Sequence, residues 1–156
     1  MSSTNISDLV NQLSQSFAAT QAMIDKLDLN LVVYADPEWQ VRDVAWHLAV
    51  WDRQCANSIQ AFVDGSKYAI PNFEEDNFNT SAQLEGRSMP PGQLRRQCQQ
   101  AREEFKQAVA QVPEGDENSE FLYPWGDESG DVAQLVSYMV EHDEEHLQEI
   151  NSITNP

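Results

Sequence analysis

The chain reads as an all-α protein, a four-helix bundle, on three observations. Four segments carry helical apolar periodicity, and no segment reads convincingly as a strand. The link between the second and third segments is nearly thirty residues, far beyond a tight helix–helix turn. His142 and His146 sit one turn apart on the seam of the last segment, where leucine or valine is expected.

The first helix is expected from about Ser7 to Leu27, with Ile6, Leu9, Val10, Leu13, Phe17, Met23, Ile24 and Leu27 on one side. The run LNLVVYAD is strand-like in composition but has no partner run in sight, so it reads as a connector. The second helix is expected from about Val41 to Val63. Pro37 and the acidic Glu38 and Asp43 suit an N-terminus, and Gly65 stops the helix. Val44, Leu48, Trp51, Cys55, Ile59 and Phe62 make its apolar stripe, and His47 borders that face between Val44 and Trp51.

Residues 64–92, with Gly65, Pro71, Gly86, Pro90, Pro91 and Gly92, read as one long connection. A link of that length implies that the helices it joins are not simple antiparallel neighbours. The third helix is expected from about Pro91 to Val112, with Leu94, Cys98, Ala101, Phe105, Ala108 and Val112 as its seam and Pro113 and Gly115 ending it. The fourth runs from about Asp131 to Ile153. Leu135, Met139, His142, His146, Glu149 and Ile153 form one line along it, flanked by Val132, Val136, Val140, Leu147 and Ile150.

A chain of 156 residues is long enough to bury a core, and residues 1–156 are expected to form a single domain. No stretch approaches the ~20 apolar residues that span a bilayer, and MSSTNISDLVNQL lacks the basic and apolar regions of a secretory signal, so a cytoplasmic location is expected. The net charge of −17, from 26 acidic and 9 basic residues, repels phosphate backbones and anionic membranes. Nucleic-acid and membrane partners are therefore not expected. Cys55 and Cys98 form no CxxC or disulfide pattern and read as buried, reduced thiols.

A single buried histidine is usually satisfied by hydrogen bonds. Two at i, i+4 on a seam present four ring nitrogens, and each left unpaired costs about 1–3 kcal/mol. A shared metal satisfies one nitrogen of each ring, and His47, from another helix, offers a third. Spacing alone leaves both the structural and the metal-binding readings open. The residue after His142 is Asp143, so the general base of an HExxH protease is missing. Glu149 is a candidate further ligand and catalytic residue, while Glu145, Glu149 and Asp43 are candidate acceptors for the outward ring N–H groups. The other acidic residues around the pair read as a solvated face. Trp46, Trp51, Tyr138 and Trp125 are candidate cavity walls, at least two of them expected to be ordinary core or surface aromatics. Tyr138, one turn before His142, is a candidate proton donor.

The stretches EWQVRDVAWHLAVWDR and EHDEEHLQEI resemble the second and closing helices of DinB-like (DinB/YfiT-like) proteins, and FEEDNFNTSAQ resembles their linker. The resemblance implies an up-down-down-up four-helix bundle with the crossover between the second and third helices. It implies a divalent metal on His47, His142 and His146, nickel or zinc ahead of iron or manganese. Relatives include mycothiol-dependent maleylpyruvate isomerases and bacterial thiol transferases. That implies a small-molecule substrate, a low-molecular-weight thiol among the candidates, in a homodimer. Gln40 stands where relatives place Ser or Thr as helix cap, which allows the second helix to begin at Asp36 instead. The expected function is metal-dependent thiol transfer to, or isomerisation or hydrolysis of, a small electrophile. The alternative is a non-catalytic metal- or small-molecule-binding protein of resistance or stress, and a structural protein with relic histidines comes third.

Overall fold

A computed structural model describes residues 4–154, in which five helices and two short hairpins follow one another. Helix α1 (Ile6–Lys26) starts at Asn5, whose side chain accepts from the Asp8 N–H, and buries Leu9, Leu13 and Ile24. Strands β1 (Val32–Ala35) and β2 (Glu38–Gln40) then pair antiparallel, Tyr34 opposite Trp39. The run expected to be a mere connector therefore has a partner only three residues on, a hairpin too short to show alternation. Asp36 and Pro37 form its turn, joined by a cis peptide bond. The chain thus enters helix α2 (Val41–Val63) from β2 and not from Asp36. Gln40 does serve as the cap position, because Asp43 reaches back to accept its N–H at 2.8 Å.

The long connection contains a helix of its own, α3 (Glu75–Arg87), capped by Glu74 and acidic in its first turn. Its buried positions are Ala82 and Gly86, with half-buried Phe78 one turn earlier; Leu84 is 69% exposed. A Cβ on Gly86 would overlap the Trp46 ring, so glycine lets α3 lie directly on α2. Helix α4 (Pro91–Ala110) begins with proline at its first position and buries Leu94, Cys98, Ala101, Phe105 and Ala108 of its expected seam; Val112, also buried, lies just past its end. A small hairpin, β3 (Phe121–Leu122) with β4 (Ser129–Gly130), leads into α5 (Val132–Thr154), where the Asp131 side chain accepts from the Gln134 N–H.

Residue pairs fix the helix directions. Cys98 meets Ala45, Arg102 meets Asp52 and Glu104 meets Arg53, so α2 and α4 run parallel. Arg95 pairs with Asp25 and Arg102 with the Leu13 carbonyl, so α1 and α4 are antiparallel. Ser16 bonds Asp143 while Ile24 packs near Ile150, making α1 and α5 parallel. The bundle of α1, α2, α4 and α5 is up-down-down-up, and α3 rides on the crossover.

All four bundle helices meet at one buried guanidinium. Arg102, 2% exposed, bonds both Asp52 oxygens at 2.9 and 3.0 Å and both Asp143 oxygens at 2.9 and 3.2 Å, and donates to Leu13 O at 3.0 Å. Ser16 donates to Asp143 at 2.6 Å. Burial disfavours the Arg102 cation, yet Asp52 and Asp143 keep it protonated; burial also pushes the Asp52 carboxyl up to about 6 against the attraction of Arg102. Asp143, expected on a solvated face, is fully buried. Conversely, Glu149 and Ile153, expected on the seam, are exposed. The strict four-three alternation drifts about 20° per heptad around a straight helix, so the inward line passes through Val136, Met139, Asp143 and Ile150 instead.

No described helix is long and apolar enough to cross a membrane. Cys55 and Cys98 are free and buried, and burial raises both thiols, Cys98 to about 12.

Candidate metal centre

His47 is carried by the second turn of α2, and His142 and His146 by α5, which crosses it antiparallel. The two helices place the three rings face to edge, with centroids 4.7–5.1 Å apart. Nε2 of His142 lies 3.0 Å from Nε2 of His47 and 3.2 Å from Nε2 of His146, and one ligand atom from each ring falls within 4.8 Å of the others. A neutral imidazole carries one N–H, so His142 Nε2 can bond only one of its neighbours through that hydrogen. Nitrogens bound ~2.0–2.1 Å from a common ion sit about 2.9–3.4 Å apart, and both pairs that share His142 have that spacing. The cluster could therefore hold a metal ion, and the donor set fits one.

Burial sets the protonation state. It lowers His47 from 6.5 to about 2, helped by the nearby His142 and His146 and opposed by a hydrogen bond with Asn79. His146 falls to about 4, from burial first and then His142; His142 also falls, from burial, with Asp143 opposing. All three rings are neutral at pH 7, the form in which imidazole binds metal.

The outward nitrogens meet partners other than those expected. Tyr34 OH lies 3.1 Å from His146 Nδ1, placed there by the β1–β2 hairpin. Trp39, on the same hairpin, packs edge-on to His47 at 5.4 Å. The Asn79 side chain of α3, which accepts from Trp51 Nε1 at 3.1 Å, also lies close enough to His47 to favour its protonated form. His142 Nδ1 is buried without a hydrogen-bond partner. Of the expected acceptors, Asp43 is instead engaged by Arg87 and by the cap of α2. Glu149 Oε2 is 3.9 Å from His146 Nδ1, on the nitrogen turned away from the cluster, and Glu145 lines the cavity. Tyr34 and Trp39 stand in stretches visible to sequence reading, but their approach depends on a hairpin too short to show there. Asn79 lies in a helix without an aliphatic stripe and gave no signal.

The cluster lies in the wall of a cavity of about 720 Å³. Trp51, Trp125 and Tyr138 line it, as expected, together with Tyr34, Trp39 and Phe73. Trp46 does not: it is buried between α2, α3 and α4 with Ala45, Leu94 and Cys98. Three of the four expected aromatics thus face the cavity, more than the sequence led one to count. Tyr138 OH donates to Glu128 Oε2 at 2.7 Å, and that bond first of all raises its pKa.

An up-down-down-up bundle whose antiparallel α2 and α5 bring three imidazoles together is a DinB-like bundle. The family model described as mycothiol maleylpyruvate isomerase N-terminal domain matches residues 10–142, and the chain belongs to that family. The matched span ends at His142, so His146 follows it. A solved structure of the mycothiol-dependent maleylpyruvate isomerase superposes with a TM-score of 0.75 at 12% identity, covering 96% of this chain and 63% of the other. A histidine-to-alanine mutant of such an isomerase gives 0.76 at 11% identity, with coverages of 96% and 63%. The likeness is one of fold, and this chain spans less than two thirds of the length of those structures. No curated protein matches the chain.

Proposed function

We propose that this chain is a metal-dependent enzyme in which His47, His142 and His146 hold one divalent transition metal, nickel or zinc, beside a small-molecule chamber. By kinship with mycothiol-dependent maleylpyruvate isomerase, the reading favours thiol-assisted isomerisation or thiol transfer on a small electrophile. The observation that carries it is the convergence of the three Nε2 atoms at the wall of an aromatic cavity.

When bound, such a metal supplies Lewis acidity and lowers the pKa of a coordinated thiol or water. The chain's own contribution is positional. Burial keeps the imidazoles neutral, Tyr34 and Asn79 orient two of them, and the aromatic walls shed water from the reacting groups. Tyr138 does not serve as proton donor in this account, because its O–H is committed to Glu128.

The test is metal analysis of the purified chain, followed by thiol-dependent consumption of small electrophiles. One divalent metal per chain and thiol-dependent turnover are expected. His142→Ala and His146→Ala should each abolish stoichiometric metal, and His47→Ala should reduce it strongly. Full metal without turnover would support the non-catalytic binder, and no metal at all would leave only the helical scaffold.

A further inference from the structure

The cavity beside the histidines carries charge of one sign. Asp36, Glu75, Glu141 and Glu145 contribute to its lining, and no lysine or arginine does. Carboxylates on an acidic protein would by themselves mean little, since the chain carries 26 acidic residues. The wall behind them is the independent observation. Trp51, Trp125 and Tyr138 form a continuous aromatic run, with ring centroids 6.3 and 6.1 Å apart. Their polar edges are already engaged: Trp51 Nε1 donates to Asn79, while Trp125 Nε1 and Tyr138 OH both donate to Glu128. What these rings leave for a ligand is π surface, backed by a further carboxylate.

A ring face is electron-rich and attracts cations, more strongly where the contact is shielded from water. A dicarboxylate entering the same space meets four like charges and no lysine or arginine, and a divalent ion on the histidines offsets only two of those charges. Resting on the reading of this cavity as the substrate chamber of the histidine cluster, we infer that it takes a small molecule bearing a positively charged amine. The cation seats against Trp51, Trp125 and Tyr138, and the net negative lining favours it over small dicarboxylates.

The experiment titrates the full-length, zinc-loaded chain with phenyltrimethylammonium, its uncharged isostere tert-butylbenzene, and maleate, following tryptophan fluorescence. The cation is expected to bind about tenfold more tightly than the isostere. Part of that preference should survive high salt, which screens the exposed carboxylates and spares the ring contacts. The doubly substituted Glu75→Gln, Glu141→Gln chain, altered only at exposed positions, should lose several-fold in cation affinity and keep its affinity for the isostere. Equal binding of cation and isostere, or tighter binding of maleate, overturns the inference. Metal content measured on the same samples separates the two readings. A chain without metal that still prefers the cation overturns the metal centre and keeps the chamber; a metal-loaded chain that prefers maleate does the reverse.

Discussion

The residue that best exposes how this site is held is Tyr34, because it fixes a ring that α5 alone leaves free to rotate. Its hydroxyl lies against His146 Nδ1. Removal of a hydrogen bond behind a metal-binding histidine typically costs 10–100-fold in affinity. Tyr34→Phe should therefore weaken zinc binding by about tenfold or more in a competition titration, with thermal stability nearly unchanged; undiminished affinity would show that the contact is incidental. Tyr138→Phe should leave turnover within about twofold, since it keeps the ring wall and deletes an O–H already engaged in a hydrogen bond to Glu128. At this scale the meeting of the three histidines was legible because a paired imidazole on a seam is costly to bury unless its ring nitrogens find partners. Their orienting partners were not, because each comes from a different element: Tyr34 from β1 and Asn79 from α3. Asp143 was misread for a related reason. An acidic residue shows its burial only when the guanidinium that neutralises it, forty-one positions away, is known to be opposite.

Among the elements, α4 was the most readable and α3 the least. The apolar residues of α4 recur where a packed helix needs them, and Leu94, Cys98, Ala101, Phe105, Ala108 and Val109 are all buried. Helix α3 packs through Phe78, Ala82 and Gly86, a line whose tightest contact is made by a residue without a side chain. Gly86→Val should push α3 off Trp46, costing on the order of 1–3 kcal/mol in denaturant unfolding. It should weaken metal binding in the same stroke, because α3 carries Asn79 to His47. Loss of stability with metal affinity intact would uncouple α3 from the site. The junction of α1, α2, α4 and α5 at Arg102 makes a sharper case. Arg102→Met leaves Asp52 and Asp143 buried without their cation, and breaking such a pair costs about 3–5 kcal/mol. Asp143 adjoins His142, so the same substitution should disturb the register of the histidine pair.

For the molecule as a whole, the histidines tie stability to pH and to metal. In the metal-free chain His47 and His146 titrate near 2 and 4 when folded and near 6.5 when unfolded. Below pH 6.5 the unfolded chain binds more protons, so folded stability is present above that pH and is lost as pH falls. Asp52, raised to about 6, acts in the opposite sense between about 4 and 6, one group against the histidines. Unfolding of the metal-free chain at pH 7.5 and 5.5 should therefore show a loss on the order of 2 kcal/mol, and metal should restore stability at pH 7.5 by mass action. The bundle, its parallel α2 and α4 and the meeting of three distant imidazoles are one arrangement. The most direct test of it is X-ray absorption at the metal edge of the purified, stoichiometrically loaded chain. Three imidazole nitrogens are expected at about 2.0–2.1 Å from one ion, with the signal lost in His142→Ala. A spectrum dominated by carboxylate oxygen, or one unchanged in that variant, would contradict it.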